Sequence, residues 1–116
     1  MDRYIALTTA MLAEDPTIKV GPCIVNARPG ANANILALLL QSSARIDFIA
    51  YHPYGSMGDY TIDSYPNAAG WQEAYLSGIY AEQARFLQEI KDLVATYRPD
   101  QAATMEYAAT EVNVSD

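Results

Sequence analysis

The chain has 116 residues, with 7 Lys and Arg against 14 Asp and Glu, so its net charge is −7. That length is one domain at most, and that charge balance argues against the basic face that nucleic acid or an anionic membrane demands. A single Cys and a single His exclude an internal disulfide and argue against zinc, which takes about four Cys, His or carboxylate ligands; a carboxylate-rich metal site stays open.

The first nine residues carry neither the basic start nor the apolar core of about 7–15 residues that mark a signal peptide, and the compartment is left open between secreted and cytoplasmic. Residues 4–14 have helical spacing, with Tyr4, Leu7, Met11 and Leu12 on one face. Glu14-Asp15-Pro16 stops this helix, because the residue before proline avoids the α region. Residues 18–25 read as a strand weakened by Pro22, which removes a ladder donor. Arg28-Pro29-Gly30 breaks the chain in the loop that follows.

A second helix is expected over residues 33–43, carrying Ile35, Leu36, Leu38, Leu39 and Leu40. Its aliphatic run, residues 35–40, is far short of the roughly 20 residues that span a membrane. Residues 45–52 form the second strand, apolar with little alternation, as in a strand buried on both faces. Residues 53–70 are a long loop containing Gly55, Gly58 and Gly70, and loops beyond about 12–15 residues are usually functional or disordered. The third helix carries Leu76, Ile79, Tyr80, Leu87, Ile90, Val94 and Tyr97 at spacings of three and four, and ends at Arg98-Pro99-Asp100. Residues 103–110 make a third strand.

The order α-β-α-β-α-β predicts an α/β fold with three parallel strands alternating with helices. Three strands are a narrow sheet, so the whole of residues 1–116 reads as part of a larger α/β fold. A (β/α)8 (TIM) barrel takes about 250 residues. In such folds function gathers at the carboxyl ends of the strands. The first strand ends near Val25-Asn26, the second in Tyr51-His52-Pro53-Tyr54, and the third in Thr110-Glu111-Val112-Asn113.

Three stretches in order, Asp15-Pro16-Thr17-Ile18-Lys19-Val20, Ile46-Asp47-Phe48-Ile49-Ala50-Tyr51-His52-Pro53-Tyr54 and Ala109-Thr110-Glu111-Val112-Asn113, resemble a family. It is the barrel clan of retaining glycoside hydrolases that includes α-L-arabinofuranosidases and β-xylosidases. The resemblance covers nearly the whole chain and implies the fifth to seventh βα region of one catalytic barrel. It implies that Glu111 is the catalytic nucleophile and that His52 and Tyr54 line the sugar site, with the tyrosine hydrogen-bonded to the nucleophilic carboxylate. Val112 departs from the pattern, which often has an aromatic there, and this puts substrate identity in doubt. The acid/base Glu of this family, usually after an Asn, ends the fourth strand; no Asn-Glu dipeptide occurs in these residues. The resemblance therefore implies a hydrolase active on polysaccharide or oligosaccharide, needing no cofactor, with the rest of the barrel supplied by flanking sequence and no activity from these residues alone.

Each assignment has a plainer reading beside it. Glu111 is one of 14 acids, and glutamate is mostly solvated; His52 at a strand end can be a hydrogen-bonded structural residue. Trp71 is a candidate sugar platform or ordinary packing, and Asn113 is a candidate substrate contact beyond Glu111. Asp59, Tyr60, Asp63 and Tyr65 are weaker candidates in the same long loop. Asp47 reads as structural, Cys23 as a small core residue, and Glu106 as either paired inside a barrel or turned outward. Glu82, Arg85, Glu89 and Lys91 read as a solvated helix face with pairs at three and four residues. Two further readings of the whole chain stay open: a non-catalytic carbohydrate-binding half-barrel, and a small α/β domain that associates with itself through open sheet edges.

Overall fold

The computed structural model describes residues 2–24, 30–53, 55–56, 80–111 and 114–115. Helix α1 spans Asp2–Glu14, strand β1 Cys23–Ile24, helix α2 Ala31–Gln41, strand β2 Phe48–Tyr51, strand β3 Gly55–Ser56, helix α3 Ala81–Tyr97, strand β4 Glu106–Ala109 and strand β5 Val114–Ser115. β1, β2 and β4 form one sheet in the order β1-β2-β4, and both pairings are parallel. β3 and β5 make a second, two-stranded parallel pair. The α/β alternation and the three parallel strands are therefore as the sequence predicts. No helix among the described residues is long and apolar enough to cross a membrane.

The core lies on one face of the sheet. Ile24, Ile49 and Tyr51 alternate toward Leu36, Leu39 and Leu40 of α2 and Ile90 and Val94 of α3, with Ile46 and Met105 beneath. The register places Cys23 opposite Ala50 and Ala50 opposite Ala108, so these three form a row on the other face, where Phe48 and Glu106 also sit.

Three elements differ from expectation. The first strand shrinks from eight residues to Cys23–Ile24. Ahead of it, the Asp47 amide donates to Val20 O at 2.8 Å, and the Ala50 amide donates to Pro22 O at 2.9 Å. The segment runs beside β2, but Pro22 has no N–H to return. Gly21 is needed there: a Cβ would overlap the Phe48 carbonyl oxygen and lie 2.8 Å from its carbon. The third strand starts at Glu106 rather than 103, because residues 99–104 close turns on Arg98, Pro99 and Gln101. The pair β3 and β5 falls where a loop and a tail were expected.

Helix faces also shift. In α1 the inward residues are Tyr4, Ile5, Thr8 and Leu12, while Leu7 and Met11 are 62% and 41% exposed. Thr8 is tolerated inside because its hydroxyl donates to Tyr4 O at 2.9 Å. In α2, Ile35 and Leu38 are exposed and Leu36, Leu39 and Leu40 buried. In α3 the buried stripe is Phe86, Ile90 and Val94, spaced by four, and Tyr80 and Tyr97 are exposed. Leu76 and Ile79, read as the start of that helix, lie outside the described residues.

Candidate functional site

Backbone bonds at the carboxyl ends of the strands fix the site. The His52 amide donates to Ile24 O at 3.1 Å, and the Thr110 amide donates to Tyr51 O at 3.1 Å. Beyond these bonds the two chains fall out of step. Tyr51 pairs with Ala109 and Gly55 with Val114, so four steps on one side match five on the other. An extra residue of this kind re-aims side chains locally. Strict alternation puts His52 on the face of Ala50 and Glu111 on the opposite face, with Ala109. The extra step lies in the stretch that holds Glu111, and the two side chains meet.

The His52 Nδ1 lies 3.7 Å from Glu111 Oε2, with His52 mostly enclosed (18% of its side chain exposed) and Glu111 more open at 56%. On the other side of the ring, Nε2 lies 3.2 Å from Cys23 Sγ. Thiol, imidazole and carboxylate thus stand in line across β1, β2 and the end of β4. Of the residues expected to form a site, the structure brings His52 and Glu111 together. Tyr54, Trp71 and Asn113 lie outside the described residues, as do Asp59, Tyr60, Asp63 and Tyr65. Cys23 was read as a core residue and is instead exposed. The signal that could have placed it is parity: with Ile24 turned to the helices, its neighbour must face the other way.

The opposite, amino end of the sheet is held by charges that satisfy one another. Asp47 Oδ2 accepts from the Val20 amide at 2.9 Å, and Asp47 Oδ1 accepts from Arg45 Nε at 2.9 Å. Partial burial pushes the Asp47 carboxyl up. The Val20 amide, Arg45 and the charge of Lys19 outweigh it and hold the pKa below its ordinary value. Lys19 reaches over β2 to pair with Glu106, and both side chains are exposed in this chain. A cavity of about 210 Å³ between Lys19, Asp47, Gln101, Thr104 and Glu106 is lined by these groups, whose charges pair with one another. Among the described residues, no group of three or more His, Cys, Asp and Glu side chains is arranged to hold a metal ion.

Comparison of the chain with protein-family models, with curated proteins and with solved structures returns no match in any of the three.

Proposed function

We propose that the chain is part of a retaining glycoside hydrolase barrel, with Glu111 as the nucleophile that forms a glycosyl-enzyme. The observation that carries this reading is the meeting of His52 and Glu111 at the carboxyl ends of adjacent parallel strands, 3.7 Å apart. That is where parallel α/β enzymes put their chemistry. A retaining mechanism needs an ionised carboxylate on one side of the anomeric carbon and a second, protonated carboxyl about 5–5.5 Å away. His52 is placed to orient the Glu111 carboxylate. The acid/base carboxyl is not assigned within these residues and comes from an earlier strand. Substrates in this reading are arabinose- or xylose-containing chains, and no cofactor takes part.

The test uses the complete reading frame that contains this chain, assayed on aryl arabinofuranosides and xylosides. Turnover is expected, with Glu111→Gln lowering kcat by several orders of magnitude, as removal of a nucleophile does. Full activity in that variant would overturn the assignment. A second reading, a small α/β domain that pairs with itself, is favoured by the sheet face carrying Cys23, Ala50 and Ala108, against which neither α2 nor α3 packs. A non-catalytic sugar-binding half-barrel is the outcome if the complete frame binds these glycosides without cleaving them.

A further inference from the structure

The thiol of Cys23 has no part in glycoside cleavage at Glu111, yet it is held in a defined relation to the same histidine. The relation is set by the sheet. Cys23 pairs with Ala50 in the β1–β2 ladder, and the His52 amide is bonded to Ile24 O. Thiol and ring are therefore both anchored within two residues of paired backbone, the precision a reacting pair needs. Sγ and Nε2 are 3.2 Å apart, which is hydrogen-bond reach for sulfur. Nδ1 on the far side of the ring lies 3.7 Å from Glu111 Oε2, so the carboxylate stands on the side of the ring away from the thiol. A nucleophile beside a base, with the base oriented by a third group, is the arrangement of covalent acyl transfer. The two plainer uses of a Cys beside a His do not apply. An internal disulfide needs a second cysteine, and the chain has one. A metal needs further ligands, and none are grouped there among the described residues.

We propose that Cys23 is an acyl-accepting nucleophile with His52 as its general base and Glu111 as the group that positions the ring, and that its substrates are carboxylic esters. In the first half-reaction the thiol proton passes to His52 Nε2 and sulfur attacks the ester carbonyl carbon. A C–S bond forms, the C–O bond to the alkoxy group breaks, and the departing alcohol takes the proton from His52. In the second half-reaction water attacks the thioester, giving its proton to His52. The C–S bond breaks, the carboxylic acid leaves and the thiol recovers the proton. This activity does not depend on the glycosidase reading, and the two fail separately, since one is read on glycosides and the other on esters.

The test is acylation of the chain by p-nitrophenyl acetate, with the protein dilute so that contacts between copies do not cover the sheet. Nitrophenolate release is followed together with peptide mass mapping. One acetyl group is expected on Cys23, released with one equivalent of nitrophenolate before slower turnover. His52→Gln should slow acylation by about 100-fold or more, the usual worth of a general base, and Glu111→Gln by a smaller factor. In case the His52 variant does not fold, the wild-type thiol is also compared in the native and the urea-unfolded chain at one pH. A native rate at least about tenfold higher than the unfolded rate supports activation by the fold. Acetylation confined to other residues, an unchanged rate in folded His52→Gln, or a native rate no higher than the unfolded one would each overturn the proposal.

Discussion

Single side chains do much of the fixing in this small sheet, and Arg98 is the clearest. It follows α3, and its guanidinium reaches back to the end of α2. Nε donates to Leu40 O at 2.7 Å, and Nη2 donates to Ser42 O at 2.7 Å and Ala44 O at 2.8 Å. A helix leaves its last carbonyls without partners and negative in sign, so one cation satisfies several at once and locks the two crossover helices together. Arg98→Ala is expected to cost about 2–3 kcal/mol, since hydrogen bonds from a charged donor to partly buried acceptors are lost together. Arg98→Lys should restore little, because an ammonium cannot span the fork. Urea unfolding of the three proteins measures both. Asp47 makes a different prediction. Its carboxyl is held below the ordinary value, so its contribution is full above the unfolded pKa near 3.9 and is lost as pH falls through the folded value. Between pH 5 and 2.5 the wild type should therefore lose more stability than Asp47→Asn, as read by melting temperature. Equal losses would mean that the bonds to Val20 and Arg45 do not select the ionised form.

Elements were legible in the sequence where local rules and tertiary packing agree. α3 is such a case: Ile90 and Val94 were read from spacing, and both are fully buried. Ile90→Ala is expected to cost 2–5 kcal/mol, the range for a large core aliphatic cut to alanine, and the neighbouring Lys91→Ala well under 1 kcal/mol, measured by the same unfolding assay. The spacing failed for α1, where Leu7 and Met11 are exposed although they lie at helical spacing from Tyr4. Tyr4 decides the face: its hydroxyl donates to Arg45 O at 3.0 Å, and burial raises its phenol pKa. A single polar anchor to another segment sets the rotation of a helix whose own pattern is weak, and no window on residues 2–14 contains that segment. Strand length failed for the same kind of reason. Residues 18–25 have the right residue types, but Pro22 removes a donor and Gly21 must pass close to Phe48, so only Cys23–Ile24 completes the ladder. At the site, His52 and Glu111 were legible as strand-end residues. The one-step mismatch that lets their side chains meet was not, because it depends on which residues pair across strands 58 positions apart.

At the scale of the molecule, the described helices α2 and α3 both pack on one face of the sheet, and among the described residues neither covers the other face. α2 and α3 both lie over Ile24, Ile49 and Tyr51, while Cys23, Ala50 and Ala108 line the other side in one row. Parallel sheets are normally covered on both faces. The accessible surface of the chain is 7255 Å², where a compact monomer of 12.7 kDa exposes about 6200 Å². A surplus of about 1000 Å² is enough for what one partner contributes to a stable interface, about 800 Å². The chain by itself is therefore expected to self-associate as its concentration rises, in sedimentation equilibrium, through this face. Ala108→Lys puts a charge at the end of the row on β4 without touching the packed core, and should return the chain to a monomer with its melting temperature little changed. If the row instead faces further strands of a barrel, as the glycosidase reading requires, the complete reading frame should be monomeric, and Ala108→Lys there should be strongly destabilising, because a lone charge would be buried inside the barrel. The same substitution thus separates the two arrangements. Mild effects in both proteins would mean that the row is solvated in each and that neither a second copy nor a barrel interior covers it.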